Sequence, residues 1–149
     1  MTGAPASRML ALCADDFGLT PGISAGIAEL ARARRLTAVS CITNSPHWAK
    51  AATRLEGLPA TVEVGLHFNL TEGRPLSRHL RKRWPSSSGL AALILRAHLG
   101  LLPRRALSSE AHAQLAAFIV ARGVPPQFID GHQHVHHLPG VRELLLDMA

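Results

Sequence analysis

Three short polar clusters in this 149-residue chain each follow an apolar segment, and together they combine acidic side chains with imidazoles. Their sequences are ADDFG at 14–18, GLHFNLTEG at 65–73 and DGHQHVHH at 130–137. Carboxylate oxygens and imidazole nitrogens are common ligands of divalent metal ions. The adjacent carboxylates of Asp15 and Asp16 repel each other, and a bound cation would remove that electrostatic cost. The clusters therefore predict a metal site.

The residue types suggest how such a site would be built. Asp16, His67 and one histidine of the third cluster would supply one oxygen and two nitrogens, leaving positions open for water and substrate. In an extended segment His132, His134 and His136 would share one face, because side chains alternate with a period of two. Any of the three is therefore a candidate ligand, and the others are candidate outer partners or proton donors.

Asp15 would then lie outside the ligand set, where it could accept a proton from activated water. Asp130 joins the candidate outer partners or proton donors, and no substrate-binding residue is identified. Each cluster also has a simpler interpretation: Asp15 and Asp16 as turn or cap formers before Gly18, and His67 as a hydrogen-bonded residue at a strand end. The occurrence of three clusters at equivalent strand ends favours the metal site.

Apolar runs and turn residues predict strands that alternate with helices. Strands are predicted at 9–14, 38–43, 61–69 and 127–131. Helices are predicted from Thr20-Pro21, at 47–55, 89–101 and 108–122, and after Pro139-Gly140, whereas 72–85 is predicted to be a loop. The first strand is expected to be buried on both faces. This alternation predicts an α/β fold with a parallel sheet, whose functional groups lie at the carboxyl ends of the strands.

Two helices carry more detailed predictions. In the first, Thr20 is the expected N-cap and Pro21 the first helical residue. In the helix at 108–122, Ser108 or Ser109 is the expected cap. The residues expected on the buried faces of these two helices are Ile23, Ile27, Leu30, Ala31, Leu115, Ile119 and Val120.

Composition predicts one globular domain over 1–149, because 47% of the residues are hydrophobic. Cys13 and Cys41 lack CxxC spacing and are predicted to be reduced core residues of a cytoplasmic protein. No segment has the length of apolar sequence that a membrane span needs, and 1–8 lacks the features of a secretory signal. The formal charge of +6 is concentrated at 78–83 and 104–105. Without a neighbouring aromatic platform, it predicts a solvated basic loop and no specific nucleic-acid partner.

The three clusters resemble the motifs of the YdjC-like carbohydrate deacetylases, the group that includes chitooligosaccharide deacetylase. The matching segments are ADDFG at 14–18, GLHFNLTEGRPL at 65–76 and DGHQHVH at 130–136. Their order and spacing are similar to those of the family. The resemblance covers essentially the whole chain from Met9 onward.

This resemblance implies that Asp16, His67 and His132 bind a divalent ion, with Mg²⁺ or Zn²⁺ as the candidates, and that Asp15 is the catalytic base. The implied fold is a (β/α) barrel similar to a TIM barrel. The implied reaction is hydrolysis of the N-acetyl group of an amino sugar such as an N-acetylglucosamine unit. A metal-dependent phosphoesterase and an inactive metal-binding fragment are the alternative hypotheses.

Family members are longer than this chain, so 1–149 is expected to be the N-terminal part of the family domain, about half of its barrel. An incomplete barrel leaves apolar sheet edges uncovered. The expected partners are therefore an acetylated amino-sugar substrate and either a second copy of the chain or the missing C-terminal half.

Overall fold

The computed structural model describes residues 10–148, which form a single parallel β-sheet flanked by helices. The strands are β1 (Cys13–Phe17), β2 (Ala38–Cys41), β3 (Glu63–Phe68) and β4 (Ile129–Gly131). They lie side by side in chain order, and each neighbouring pair is parallel. The predicted α/β class is confirmed, and this strand order is the one that (β/α) barrels use.

Six α-helices occur among the described residues: α1 (Pro21–Arg32), α2 (Trp48–Ala52), α3 (Arg78–Arg83), α4 (Leu90–His98), α5 (Arg104–Arg122) and α6 (Val141–Leu146). Two 3₁₀ segments, Thr53–Leu55 and His132–His137, complete the helical elements. Three helices, rather than the predicted two, connect β3 with β4. Within residues 10–148, no helix is both long and apolar enough to cross a membrane.

Helix α3 contradicts the prediction of a loop over 72–85. Its N-cap is Ser77, whose Oγ accepts a hydrogen bond from the backbone N–H of Leu80 at 3.2 Å. Leu80 is fully buried and anchors the short helix, while the basic residues occupy its other faces. The basic run is therefore helical, because one cap and one apolar contact suffice to order a single amphipathic turn.

Helix α1 begins as predicted. Thr20 Oγ1 accepts a hydrogen bond from the backbone N–H of Ile23 at 3.2 Å, and Pro21 is the first helical residue. The predicted buried face is correct for Ile27 and Ala31, but Ile23 and Leu30 are 38% and 49% exposed. The small residues Ser24 and Ala28 occupy the buried face instead, which lets α1 lie close to the sheet.

Helix α5 begins four residues earlier than predicted, with Pro103 at the N-cap position, so neither Ser108 nor Ser109 is the cap. Its buried face also differs from the prediction. Of the predicted residues, Leu115 packs against the core, but Ile119 and Val120 are 38% and 86% exposed. The side chains of Glu110 and Gln114 are fully buried instead. The spacing of apolar residues does not indicate this buried face, because the residues at its centre are polar. They are hydrogen-bonded inside the protein.

The first strand also departs from its prediction. The observed strand begins at Cys13, and the predicted start at Met9 lies outside the described residues. Leu10 and Leu12 are 83% and 51% exposed, so this segment is not buried on both faces. Both cysteines are free, as predicted, but Cys13 is exposed and only Cys41 belongs to the core. The first strand and Cys13 are more exposed than predicted because β1 is an edge strand, hydrogen-bonded to β2 alone among the described strands.

Candidate metal centre

An irregularity in β1 determines where Asp16 points. The register passes from Ala14 opposite Val39 to Phe17 opposite Cys41, so β1 contains one more residue than β2 over this stretch. Asp16 adopts a φ of +65°, which is uncommon for a residue with a side chain. Bulges of this kind redirect side chains and are frequent beside active sites. Here the bulge lies at the carboxyl end of the strand.

Gly18 allows the chain to leave β1 close to the neighbouring strand. Its φ is +94°, and a Cβ atom at this position would lie only 2.6 Å from the backbone oxygen of Ile42. The backbone N–H of Gly18 donates a hydrogen bond to Ser24 Oγ at 3.0 Å, which ties the turn to α1. The glycine of the ADDFG motif is therefore required by close packing of the backbone.

Asp16, His67 and His132 converge at the carboxyl edge of the sheet. Asp16 Oδ1 lies 3.4 Å from His67 Nε2 and 2.8 Å from His132 Nδ1. Each residue offers one ligand atom, and these atoms all lie within 4.8 Å of one another. The histidine side chains are 4% and 8% exposed, whereas the aspartate is 34% exposed. This arrangement can hold a cation between two buried imidazoles and a carboxylate that borders solvent.

The third polar cluster does not form the extended segment that the sequence predicts. After β4 the chain enters a 3₁₀ segment, in which Gln133 and His134 have left-handed backbone angles, with φ of 51° and 59°. These angles break the alternation of an extended chain, so His134 and His136 do not join His132 on one face of a strand. Neither belongs to the group of converging ligand atoms among the described residues. Their roles as outer partners or proton donors stay predictions.

Asp130 and Ser40 lie behind His67. Asp130 Oδ1 is 2.7 Å from His67 Nδ1, and Ser40 Oγ is 3.1 Å from the same nitrogen. The hydroxyl of Ser40 also donates a hydrogen bond to Asp130 Oδ1. A carboxylate at Nδ1 favours the tautomer with its proton on that nitrogen. The lone pair of His67 Nε2 would then face Asp16.

The pKa of Asp130 lies below the ordinary value for aspartate as the outcome of opposing effects. Burial raises the pKa, but hydrogen bonds from His67 and Ser40 lower it and outweigh burial. Asp130 is therefore an ionised carboxylate at neutral pH. A permanently charged acceptor orients the imidazole more firmly than a neutral group would.

Asp15 occupies a second group, with Cys13 and Asp130, whose potential ligand atoms also lie within 4.8 Å of one another. Although Cys13 as a whole residue is exposed, partial burial of its thiol is the main cause that raises the pKa to about 12, followed by the charges of Asp15 and Asp130. The thiol is therefore protonated at neutral pH, when it is a poor metal ligand. Asp130 links the two groups, since it also contacts His67.

The loop after β3 brings Glu72 to the other side of His132. Asn69 Oδ1 accepts hydrogen bonds from the backbone N–H groups of Thr71 and Glu72, both at 3.0 Å. Asn69 Nδ2 donates to the backbone oxygen of Glu72 at 3.0 Å. Glu72 Oε1 lies 3.4 Å from His132 Nε2. A side-chain amide thus replaces regular secondary structure in ordering this turn.

Sequence reasoning missed three residues at this edge of the sheet: Ser40, Glu72 and Cys13. Glu72 belongs to the second polar cluster, so its motif was a usable signal. Ser40 lies within an apolar strand, and Cys13 was assigned to the core. Nothing local to either residue indicates its neighbours, because those come from strands distant in the chain.

A separate cleft of about 480 Å³ lies beside β4. Its walls include Phe128, Ile129, Leu145 and Met148, and His136 also lines it. None of the three converging residues contributes to it, so this cleft is distinct from the candidate metal centre.

Comparison with known proteins places the chain in a family. A family model described as YdjC-like protein matches residues 9–149. A carbohydrate deacetylase of Mus musculus is 37% identical over 148 residues, and one of Xenopus laevis is 33% identical over 144 residues. These alignments cover 93% and 91% of this chain, but 46% and 45% of the relatives.

A chitooligosaccharide deacetylase of Yersinia enterocolitica is 34% identical over 143 residues, with 95% of this chain and 56% of the relative covered. A crystal structure from Enterococcus faecalis V583, described as a candidate cellobiose-phosphate cleavage protein, superimposes with a TM-score of 0.74 at 26% identity. It covers 93% of this chain, which in turn covers 54% of that structure. The chain thus spans about half the length of these proteins. Because the family model matches nearly all of its residues, the chain belongs to the YdjC-like protein family.

Proposed function

We propose that this chain carries the metal centre of a carbohydrate deacetylase that removes N-acetyl groups from amino sugars, such as those in N-acetylglucosamine-containing oligosaccharides. The convergence of Asp16, His67 and His132 within 4.8 Å carries the proposal. The relatives named carbohydrate deacetylase and chitooligosaccharide deacetylase support the reaction class and the substrate class.

The residues present fit a divalent cation. Asp16 Oδ1 lies 3.4 Å from His67 Nε2 and 2.8 Å from His132 Nδ1, so one potential ligand atom of each residue is close to the other two. One carboxylate and two imidazoles suit Zn²⁺, while Mg²⁺ prefers a larger share of oxygen ligands. We propose that Asp16, His67 and His132 hold the ion. The chemistry that such an ion supplies is polarisation of the amide carbonyl and activation of water.

We propose Asp15 as the catalytic base. It is exposed and lies outside the converging group, in contact range of Asp130 and Cys13. Its carboxylate would accept a proton as water adds to the acetamide carbon. The C–N bond then breaks as that proton passes to the departing nitrogen, which releases the free amine of the sugar and acetic acid, ionised to acetate at neutral pH. In this division of roles, Asp130 orients His67 through its Nδ1 and does not contact the substrate.

The test separates metal binding from turnover. We expect Asp16→Asn and His67→Ala to lose Zn²⁺ binding in a calorimetric titration, because each removes one of three ligands. We expect Asp15→Asn to keep Zn²⁺ binding but lose acetate release from a chitooligosaccharide. His98→Ala, at the exposed end of α4, is the matched control. Full activity of Asp15→Asn would show that another group is the base.

A second candidate function is metal-dependent phosphoester hydrolysis. Two observations favour it. The similar crystal structure is described as a candidate cellobiose-phosphate cleavage protein, and this chain has a net charge of +6, which fits an anionic substrate. Release of phosphate from a phosphorylated disaccharide without acetate release from a chitooligosaccharide would support this candidate. Zn²⁺ binding with neither activity would support the hypothesis of an inactive metal-binding fragment.

We further propose that 1–149 acts as one domain corresponding to part of the family domain. The single sheet of residues 10–148 and the coverage of about half of each relative support this. In the sheet of residues 10–148, β1 and β4 are the edge strands, and a second copy or further polypeptide would pair with them. The cytoplasmic location stays a prediction.

A further inference from the structure

We infer that Glu72 is a positioning residue that orients His132 in the metal centre, an inference that rests on the proposed function. Each ring nitrogen of His132 faces a carboxylate. Nδ1 lies 2.8 Å from Asp16 Oδ1, which places it on the side of the converging ligand atoms. Nε2 is buried with no hydrogen-bond partner, and Glu72 Oε1 lies 3.4 Å away from it.

The other histidine of the centre has the same arrangement with its nitrogens exchanged. His67 directs Nε2 toward Asp16, and its far nitrogen, Nδ1, contacts the carboxylate of Asp130 at 2.7 Å. Each imidazole therefore lies between Asp16 and a second carboxylate. A carboxylate on the far nitrogen fixes the tautomer and the ring orientation of a metal-binding histidine.

Glu72 fits an outer role better than a direct ligand role. Among the described residues, the group whose ligand atoms lie within 4.8 Å of one another contains Asp16, His67 and His132, without Glu72. Its carboxylate approaches Nε2 of His132, whereas that of Asp16 approaches Nδ1. A short side-chain adjustment would bring Oε1 from 3.4 Å into hydrogen-bond distance of Nε2.

The backbone that carries Glu72 is held by buried polar groups of α5. Gln114 donates from Nε2 to the backbone oxygen of Asn69 at 2.7 Å and accepts at Oε1 from the backbone N–H of Asn69 at 3.0 Å. Glu110 accepts from the backbone N–H groups of Leu76 and Ser77 at 2.9 and 2.7 Å. Both ends of the loop are thus anchored to one rigid helix.

Hydrogen bonds to the backbone of Glu72 restrict where its side chain can lie. Asn69 binds the backbone of Glu72 on both its N–H and its C=O, at 3.0 Å each. Asn44 Nδ2 donates to the same carbonyl oxygen at 3.1 Å. After that side-chain adjustment, the carboxylate of Glu72 would accept the Nε2–H of His132, and the Nδ1 lone pair would be available for the cation.

The experiment measures Zn²⁺ affinity of the full chain by competition with a chelating dye. We expect Glu72→Gln to weaken binding by about 10- to 100-fold, the range found when outer partners of metal ligands are removed. Glu56→Gln, at an exposed glutamate after the Thr53–Leu55 segment, should leave the affinity unchanged. Equal affinity of Glu72→Gln and the unsubstituted chain would overturn the inference. Failure of the unsubstituted chain to bind Zn²⁺ would instead overturn the proposed function together with it.

A second readout separates positioning from a purely structural role. In the Zn²⁺-loaded protein, nitrogen NMR should show the metal on Nδ1 of His132 and the proton on Nε2. The reverse assignment would overturn the inference. We also expect the metal-free Glu72→Gln protein to melt close to the unsubstituted chain, since the side chain of Glu72 is 45% exposed. A large loss of metal-free stability with unchanged Zn²⁺ affinity would show that Glu72 is only structural.

Discussion

Replacing Asp130 by asparagine tests whether the charge behind His67 stabilises the metal-free fold. One oxygen, Oδ1, accepts hydrogen bonds from both His67 Nδ1, at 2.7 Å, and Ser40 Oγ. The side-chain amide in Asp130→Asn would retain an acceptor oxygen of the same shape, but without the charge. The substitution therefore removes charge assistance and leaves the size of the side chain nearly unchanged.

The expected cost follows from this difference. Hydrogen bonds to charged groups contribute about 1.5–3 kcal/mol each, compared with roughly 0.5–1.5 kcal/mol for neutral pairs. Two bonds would then lose about 2–3 kcal/mol in total. Because the side chain of Asp130 is 28% exposed, solvent screening reduces the expected loss to about 2 kcal/mol.

Urea unfolding at neutral pH in the presence of a chelator measures this loss without a contribution from metal binding. Asp147→Asn, at an exposed aspartate that ends α6, is the matched control and should change the free energy of unfolding by no more than about 0.5 kcal/mol. An equally small change for Asp130→Asn would show that the charge of Asp130 contributes nothing to the stability of the folded state.

The stabilising effect of the Asp130 charge should depend on pH. The folded state holds the pKa of Asp130 below its ordinary value. Its charge therefore stabilises the protein above the unfolded-state pKa, about 4 for aspartate, and that stability is lost as pH falls through the folded-state pKa. The stability difference between the unsubstituted chain and Asp130→Asn should be constant near neutral pH and shrink on acidification. A difference that grows in acid would contradict this.

Three further predictions concern packing and the sheet edges. Gln114→Ala leaves the buried N–H and C=O of Asn69 unpaired, so we expect the free energy of unfolding to fall by about 2–5 kcal/mol, measured in urea. A loss below about 1 kcal/mol would contradict the anchoring role of α5. In Gly131→Ala the new Cβ would lie 2.9 Å from the backbone nitrogen of His136, so we expect a loss of about 1–3 kcal/mol and weaker Zn²⁺ binding, measured by melting and dye competition. The 149-residue polypeptide should self-associate in sedimentation velocity through β1 and β4, the edge strands of the sheet in residues 10–148, and a stable monomer at high concentration would disprove this.

Much of the α/β architecture was predictable from local patterns. The cap at Thr20-Pro21 positions α1 correctly, and the apolar runs locate all four strands, although their ends shift by up to four residues. Helix α3 was missed because a short amphipathic turn has too few residues to show a period. The buried face of α5 was missed because its central side chains, Glu110 and Gln114, are polar.

The residue types of the candidate site were determined by the sequence alone, since ADDFG, GLHFNLTEG and DGHQHVHH each stand at a recognisable strand end. Tertiary structure decided which members meet. The left-handed angles at Gln133 and His134 separate His132 from the later histidines, and the bulge in β1 directs Asp16 toward it across 116 residues of sequence. Ser40 meets Asp130 across 90 residues. Such contacts depend on strand register and on local backbone angles, which no neighbouring residue encodes, so only the folded chain could reveal them.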